Sequence, residues 1–380
     1  MTLPYKPMLK EMRQETVIIL CSGTSLGAYI PALIASHQLS NQGINSEVVV
    51  LENIFFLKKR DNIPQTKFAF HRNFPLALMA QKLAKDITPS IDPDLASNLL
   101  AIWKKHRRKR FMIFSGFWLP IANRYLQETD FQDITIDLCH MDASVSTSWK
   151  MYDVTHSAFR HIWFFNWEDK CLLYNFSVSN DEPVPYSQRA DRFVIHGGGW
   201  GVGTYKSKIP ELVHNGIKLD VIAYEHQDIA NKAKHSRYFL IDPTWKPWEK
   251  DAQGHHQFPP FGEVKDNGNV AFENSQTYPE VYSLIRQSRG IISKPGGGTL
   301  VDSLSAATPL VWLAPYGDYE NNNGLLWEYL GFGVSYEKWV DSGYSCDILE
   351  RLHVNLKQAR ASLPKYITTY INPFLSLQGH

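Results

Sequence analysis

Residues 291–299 have the sequence IISKPGGGT, and they indicate the fold more clearly than any other part of the chain. The apolar start predicts a short buried strand, and the three glycines precede an apolar pattern of helical period that continues to Ala307. Glycine lets a ligand approach the backbone closely, and the free N–H groups at a helix N-terminus bind anions. The stretch therefore predicts a strand, a phosphate-binding loop and a helix.

Polar residues around this loop favour a nucleoside diphosphate as its ligand. Lys294 places a positive charge before the glycines, and Thr299 adds a hydroxyl. Asp302, expected in the first turn of the helix, can accept hydrogen bonds from a ribose. No Gly-Lys-Ser/Thr follows the glycines, which disfavours a Walker-type NTPase. The alternative is a tight turn without a ligand, as occurs in many α/β proteins.

The same pattern occurs at two earlier places in the chain. Residues 16–21 predict a buried strand, followed by a small-residue loop and a helix, but the loop lacks the GxGxxG of an NAD site. Residues 192–195 predict another strand, and the glycine loop HGGGWGVGT at 196–204 follows it. Two such starts, far apart in the chain, predict two similar α/β domains of the Rossmann-like type.

Residues 181–185, DEPVP, have the composition of a linker between these domains. We therefore predict a first Rossmann-like domain at 1–183 and a second at 184–350. Residues 351–380 are expected to form a C-terminal helix and tail that pack back toward the first domain. A length of 380 residues, of which 44% are hydrophobic, is consistent with two domains with sizeable cores.

Composition also limits the functional classes. A net charge of +1 gives no reason to expect a nucleic-acid partner. The four cysteines are scattered without a CxxC pair, so neither a disulfide framework nor a zinc site is expected. The sequence shows no signal-peptide core and no apolar run of about 18 residues, the length a membrane span requires. We expect a cytoplasmic protein that binds no metal.

Titratable residues cluster at the end of the strand predicted at 134–138. Asp137 lies in this strand, and His140 and Asp142 follow it. Ligands of parallel sheets bind at the carboxyl ends of the strands, so any of these three is a candidate general base. The alternative is a buried, hydrogen-bonded histidine and an aspartate that caps a helix.

Residues 104–110, KKHRRKR, form a dense basic run. A solvated helix end explains the run, because cations suit the C-terminal end of a helix dipole. The alternative is contact with an anionic membrane or an anionic acceptor. Aromatic residues are also frequent in the first half, which is compatible with a pocket for a hydrophobic ligand.

Taken together, these motifs resemble the GT-B glycosyltransferases, which have two Rossmann-like domains facing a cleft. The resemblance rests on the segment Ser293–Thr299, followed by Asp302, Pro309, Asp318 and Asn322. In this segment, Lys294 follows Ser293. A serine followed by a basic residue at this place makes the motif most similar to that of the branch of monogalactosyldiacylglycerol synthase and the peptidoglycan lipid II N-acetylglucosaminyltransferase. Residues 23–33 resemble the first loop of that branch.

The resemblance implies a donor site built mainly by the second domain. Its residues would be Lys294, Gly297, Gly298 and Thr299 for the diphosphate, Asp302 for the ribose, Asp318 and Glu320 for the sugar hydroxyls, and Gly198, Gly199 and Trp200 for the opposite wall. The chain departs from the family at the first loop. Related enzymes often end this loop in a histidine, and Ala28 stands there instead.

The activity that the resemblance implies is an inverting, metal-independent transfer of a hexose from a nucleoside diphosphate sugar, usually UDP-linked. The acceptor would be a small apolar or aromatic molecule such as a natural product. Three alternatives remain open at this stage. The acceptor can be a lipid at the membrane surface, the chain can be an inactive homologue that binds a nucleotide or a partner protein, or it can be an isomerase of nucleotide sugars.

Overall fold

The computed structural model describes residues 15–83, 86–230 and 232–375. Residues 1–14 of the predicted first domain and the last five residues of the predicted tail lie outside this part. The first half forms a sheet of five parallel strands in the order β2-β1-β3-β4-β5. Its strands are β1 (Val17–Cys21), β2 (Ser46–Val50), β3 (Arg110–Ile113), β4 (Thr135–His140) and β5 (Phe159–Trp163).

Helices connect these strands, as parallel pairing requires. They are α1 (Leu26–Asn41), α2 (Leu57–Asp61), α3 (Ile63–Arg72), α4 (Phe74–Lys82), α5 (Pro93–Lys105) and α6 (Leu119–Gln127). The helices α2 to α4 form an insertion between β2 and β3. A two-stranded hairpin of β6 (Phe165–Asn166) and β7 (Cys171–Leu172) follows the sheet.

The second half forms a sheet of seven strands in the order β11-β10-β9-β8-β12-β13-β14, in which β11 is antiparallel and the others are parallel. Its strands are β8 (Ala190–His196), β9 (Leu219–Ala223), β10 (Arg237–Ile241), β11 (Phe261–Glu263), β12 (Ser288–Ser293), β13 (Leu310–Trp312) and β14 (Gly333–Ser335). Together with the first sheet, this confirms the predicted α/β class with two Rossmann-like units.

The helices of the second half complete the fold. They are α7 (Tyr205–His214), α8 (Val281–Gln287), α9 (Gly297–Ala306), α10 (Asp318–Tyr329), α11 (Tyr336–Asp341), α12 (Cys346–Ser362) and α13 (Tyr366–Leu375). Of these, α12 packs on α9, and α13 packs on α1 of the first half. No helix in the described ranges is long and apolar enough to cross a membrane.

The two halves meet through α1 and α9, the helices that follow a glycine-containing loop in each half. The two helices pack against each other. Tyr29 and Ala32 of α1 belong to the same buried apolar cluster as Leu300 and Leu304 of α9. This contact brings the N-terminal ends of both helices together, since a Cβ added at Gly298 would lie 3.6 Å from the Gly27 Cα.

Candidate active site

The second-half glycine loop leads directly into α9. The helix begins at Gly297, three residues before Leu300, where its apolar pattern starts, so Asp302 lies in the second turn and not in the first. Gly296 precedes the helix without a side-chain cap, which leaves the first N–H groups of α9 available to another acceptor. Thr299 is buried within the helix.

Asp302 carries a carboxyl group without a protein partner. No residue in the described ranges donates a hydrogen bond to it, although the side chain is half-buried. Burial raises the pKa of Asp302 to about 7. A half-buried, unpaired carboxyl on the helix that follows a glycine loop is suited to accept hydrogen bonds from a ligand hydroxyl.

Lys294 lies at the end of β12 and is held by Glu320. Its ammonium forms an ion pair with the Glu320 Oε1 atom, and the other carboxylate oxygen accepts the Tyr316 N–H at 2.7 Å. Glu320 is buried, so it fixes the lysine in place, and both of its oxygens already accept protein hydrogen bonds. Asp318 is exposed in the first turn of α10. The expectation that both residues bind sugar hydroxyls stays a prediction.

The glycine loop after β8 lies beside the loop that leads into α9, because β8 and β12 are neighbouring strands of the second sheet. A Cβ added at Gly198 would lie 3.3 Å from the Lys294 Cε, and one at Gly199 would lie 2.4 Å from the Cβ of Leu26 on α1. Trp200 stacks on Phe70 of the helical insertion at 6.2 Å between ring centroids. The structure therefore brings Gly198 next to Lys294, while Gly199 and Trp200 contact the first half.

Asp142 is the base candidate that lies at the α9 loop. A Cβ added at Gly297 would be 2.4 Å from the Met141 carbonyl oxygen and 3.1 Å from Asp142 Oδ1. The Asp142 carboxylate accepts a hydrogen bond from Asn323 Nδ2 at 2.9 Å, and it lies beside the start of α9. Burial raises its pKa to about 6 against the opposing effect of the Asn323 hydrogen bond. A carboxylate from the first half therefore lies against the predicted phosphate loop.

His140 lies in a stack of rings rather than at the cleft. Its Nε2 atom is 2.9 Å from His161 Nδ1, and its ring stacks on Trp163 at 4.1 Å between centroids. Burial, with a smaller contribution from His161, lowers the pKa of His140 to about 3. A buried imidazole with so low a pKa is a poor general base, so the geometry favours the structural alternative for this residue.

Asp137 is tied to the C-terminal helix. Arg160 forms an ion pair with Asp137 Oδ1 at 2.6 Å, and the Tyr366 hydroxyl donates to Oδ2 at 2.8 Å. Burial raises the pKa of Asp137, while Arg160 and the Tyr366 hydroxyl act in the opposite direction. Both carboxylate oxygens have protein partners, so Asp137 is better suited to a structural role than to the role of a general base.

Glu52 is a buried carboxylate that the sequence analysis did not identify. Its oxygens accept hydrogen bonds from Ser22 Oγ at 2.6 Å, from the Gly23 N–H at 2.7 Å and from the Thr24 N–H at 2.9 Å. The first loop therefore holds an internal carboxylate where a ligand phosphate would otherwise bind. The available signal was an acidic residue two positions after the end of the strand β2.

A second group that the sequence analysis missed joins α3 to the second half. His71 is buried, its Nδ1 atom donates to the Gly201 carbonyl at 2.7 Å, and its Nε2 atom lies 2.9 Å from Asp228 Oδ2. Burial alone would raise the pKa of Asp228, but the hydrogen bond with His71 outweighs burial and holds this pKa well below its usual range. Glu225 completes a trio that could hold a metal ion. The Lys206 ammonium lies 3.1 Å from both His71 Nε2 and Asp228 Oδ1, so a protein cation already supplies positive charge there.

The basic run at 104–110 is partly paired with acidic residues. Lys104 contacts Glu128 at 2.7 Å, and Arg108 lies 3.9 Å from Glu47. These pairs are typical of a solvated surface. Contact of this run with an anionic membrane stays a prediction.

Comparison with known proteins shows which fold this architecture belongs to. No family model and no curated protein matches the sequence. Solved structures do match. They include MurG of Acinetobacter baumannii, with a TM-score of 0.51, 11% identity and coverage of 96% of this chain and 100% of that chain. The glycosyltransferase SsfS6 of Streptomyces sp. SF2575 gives a TM-score of 0.53 and 11% identity over 94% of this chain and 99% of that one.

A third match is the spinosyn rhamnosyltransferase SpnG complexed with thymidine diphosphate. It has a TM-score of 0.52 and 10% identity, and covers 95% of this chain and 100% of that chain. Identities this low establish the fold alone. The chain has the GT-B architecture of two Rossmann-like domains facing a cleft, as the sequence motifs predict.

Proposed function

We propose that this protein is a glycosyltransferase that moves a sugar from a nucleoside diphosphate sugar to an acceptor bound in the interdomain cleft. The observation that carries the proposal is the unpaired carboxyl of Asp302, on the helix that follows Lys294 and begins without a side-chain cap. A cation, a row of N–H groups and a free hydrogen-bond acceptor, in that order, match a diphosphate followed by a ribose. The GT-B fold agrees with this function.

In the proposed donor complex, the diphosphate lies at the N-terminus of α9 and contacts Lys294, Gly297, Gly298 and Thr299. The Asp142 Oδ1 atom lies 3.1 Å from the position of a Cβ at Gly297, so a phosphate that binds the Gly297 N–H group displaces the Asp142 carboxylate. Lys294 and the N–H groups then stabilise the negative charge that develops on the leaving nucleoside diphosphate.

The proposed transfer is a single displacement. The acceptor hydroxyl attacks the anomeric carbon, the bond from that carbon to the diphosphate oxygen breaks, and a base removes the hydroxyl proton. This route inverts the anomeric centre and needs no metal. Asp142 is the proposed base because it is the candidate at the donor loop, and its pKa of about 6 leaves most of it ionised near pH 7.

A small apolar or aromatic acceptor fits the first loop better than a phosphorylated one. The Gly23 and Thr24 N–H groups already donate to Glu52, so they have little capacity for a second anion. SpnG has also been solved with the spinosyn aglycone, a match with a TM-score of 0.50 and 12% identity. We propose a neutral acceptor that reacts in the cytoplasm.

One observation favours a second candidate, a lipid acceptor at an anionic membrane. Among the described residues, six of the eleven exposed large hydrophobic side chains lie in the helical insertion. They are Phe56, Leu57, Phe68, Leu76, Met79 and Leu83. Exposed lysines such as Lys58 and Lys59 accompany them. Flotation with anionic vesicles separates the two candidates, since absence of the protein from the floated fraction would eliminate the lipid version.

Thermal unfolding in the presence of nucleotides tests the proposal. UDP, TDP, UMP, uridine and a set of UDP- and TDP-sugars are added to the wild type and to Lys294→Met and Asp302→Ala. A ligand at 100 times its Kd stabilises the fold by about 2.7 kcal/mol, which gives a measurable rise in Tm. We expect one diphosphate to raise the Tm of the wild type and to act much more weakly on both variants.

The same screen distinguishes the remaining functions. Transfer or hydrolysis of the sugar from the stabilising donor supports the enzyme. Binding without turnover on any acceptor would favour an inactive nucleotide-binding homologue. If no nucleoside diphosphate stabilises the wild type, the proposed donor site is wrong.

A further inference from the structure

Lys67 of α3 reaches across the cleft toward the second half. Its ammonium lies 4.9 Å from the ring centroid of Trp200 and 5.9 Å from that of Trp248. Trp200 belongs to the glycine loop after β8, and Trp248 to the long segment before β11. The two ring faces attract the cation but accept no strong hydrogen bond. Within the described part of the chain, no carboxylate or carbonyl accepts a hydrogen bond from Lys67.

The same loop carries two more donors without an acceptor. The Trp200 Nε1 atom and the His196 Nε2 atom are buried and have no hydrogen-bond partner in the described ranges. His196 Nδ1 accepts the Gly198 N–H at 3.0 Å, so in the neutral ring the proton resides on Nε2. A buried donor without an acceptor costs free energy. Three unpaired donors around one loop therefore indicate a ligand rich in acceptors.

The charge of Lys67 is not neutralised locally. Glu52 is the acidic residue whose charge acts on Lys67. Its carboxylate already accepts hydrogen bonds from Ser22, Gly23 and Thr24, and it forms no ion pair with the lysine. Burial lowers the pKa of Lys67 to about 8, while Glu52 acts in the opposite direction. The lysine is thus mostly charged near neutral pH and lies in a poorly solvated cleft.

We propose that Lys67 is a donor-binding residue contributed by the first domain, and that it contacts the diphosphate from the side opposite to Lys294. This inference rests on the proposed function. When the bond from the anomeric carbon to the diphosphate oxygen breaks, the electron pair stays on that oxygen. Lys67 then stabilises the added negative charge together with Lys294. A diphosphate held by lysines of both domains also links donor binding to closure of the cleft.

Calorimetric titration tests this inference with the diphosphate that the wild type binds, UDP or TDP, and with the matching nucleoside. The variants are Lys67→Met, which keeps the apolar stem over the tryptophans, and Lys67→Arg, which keeps the charge. Lys59→Met is the control, since Lys59 is exposed on α2. We expect Lys67→Met to raise the Kd of the diphosphate about tenfold or more, because it removes a charged hydrogen bond. The Kd of the nucleoside stays unchanged, and Lys67→Arg and the control bind like the wild type.

Each other outcome contradicts a specific step. If Lys67→Met weakens the nucleoside and the diphosphate equally, the lysine acts only as a structural clamp on the tryptophans, and the inference is wrong. If Lys294→Met weakens diphosphate binding and Lys67→Met does not, the proposed function stands and the inference alone fails. If the wild type binds neither UDP nor TDP, both fail.

Discussion

Asn323 Nδ2 lies 2.9 Å from Asp142 Oδ1, and this hydrogen bond joins the two domains at the glycine loop. The same amide nitrogen donates to the Pro295 carbonyl at 2.9 Å, and the amide oxygen accepts the Ala143 N–H. Asn323 is fully buried, so its side chain is fixed in this position. The loop proposed to admit a diphosphate is therefore held closed by a side chain of its own domain.

Asp142→Asn should separate the catalytic role of Asp142 as a base from its structural role as a hydrogen-bond acceptor. The asparagine oxygen can still accept the Asn323 hydrogen bond, but it cannot remove a proton. Loss of a general base lowers kcat by about 10²- to 10⁴-fold. We expect a fall of this size in steady-state transfer, with Tm close to that of the wild type.

Asn323→Ala is the companion variant, because it removes the interdomain hydrogen bonds and leaves the carboxylate. It should lower the Tm while kcat falls much less than in Asp142→Asn. A kcat of Asp142→Asn within about threefold of the wild type would contradict the base assignment, since a positioned base contributes far more than that.

Gly297→Ala should disrupt the closed cleft, and Gly298→Ala should not. The added Cβ at Gly297 would meet the Met141 carbonyl oxygen at 2.4 Å, whereas at Gly298 it would meet only the Gly27 Cα at 3.6 Å. Forcing a methyl group against a packed backbone costs about 1–3 kcal/mol. We expect a lower Tm and a larger radius of gyration by X-ray scattering for Gly297→Ala.

Gly298→Ala is the matched control at the next position of the same helix. It should keep the wild-type radius and keep or slightly raise the Tm, because alanine reduces the freedom of the unfolded chain. Equal behaviour of the two variants would show that the Met141 contact does not hold the cleft closed.

The sequence predicts the units of this fold well because they depend on local patterns. The run IISKPGGGT carries its own strand, loop and helix start, and the structure has all three. The same local pattern predicts Asp302 in the first turn, one turn too early, because the apolar periodicity begins after the start of the helix. Glycines can form the first turn of a helix without contributing to that pattern.

Interdomain contacts were not predictable from such patterns. The order Asp137, His140, Asp142 shows three titratable residues near one strand end, but it does not show which of them faces the cleft. Asp137 is neutralised by Arg160, and His140 is enclosed by rings of neighbouring strands. Lys67 and Glu52 lie in a segment without a recognisable motif, and their positions follow only from how the two halves pack.

The burial of Asp302 should appear in the pH dependence of stability. Its pKa of about 7 in the folded chain is above the usual value of about 4, so the folded state binds the proton more tightly. This contribution is fully present below about pH 4 and is lost as the pH rises through about 7. Asp302→Asn carries no charge, so it should be more stable than the wild type at pH 8 but not at pH 4.5.

At pH 8, Asp302→Asn should raise the free energy of unfolding by about 1–2 kcal/mol. This is less than the full shift of the Asp302 pKa implies, because the side chain is partly solvated. Urea unfolding at the two pH values measures it. Asp341→Asn is the control, since Asp341 is exposed, and it should show no such difference. An equal effect of Asp302→Asn at both pH values would contradict the burial of a charged carboxyl there.

Tyr366→Phe tests whether Asp137 holds the C-terminal helix rather than acting in catalysis. The change removes the hydroxyl that donates to Asp137 Oδ2 and leaves a buried acceptor unpaired. Such a loss costs about 1–3 kcal/mol. We expect faster amide hydrogen exchange in α13 and an unchanged kcat at temperatures where the variant is folded. Tyr370→Phe is the control on the same helix, because no described residue hydrogen-bonds to the Tyr370 hydroxyl, and it should exchange like the wild type. A fall in kcat comparable to that of Asp142→Asn, with exchange in α13 unchanged, would instead return Asp137 to the catalytic candidates.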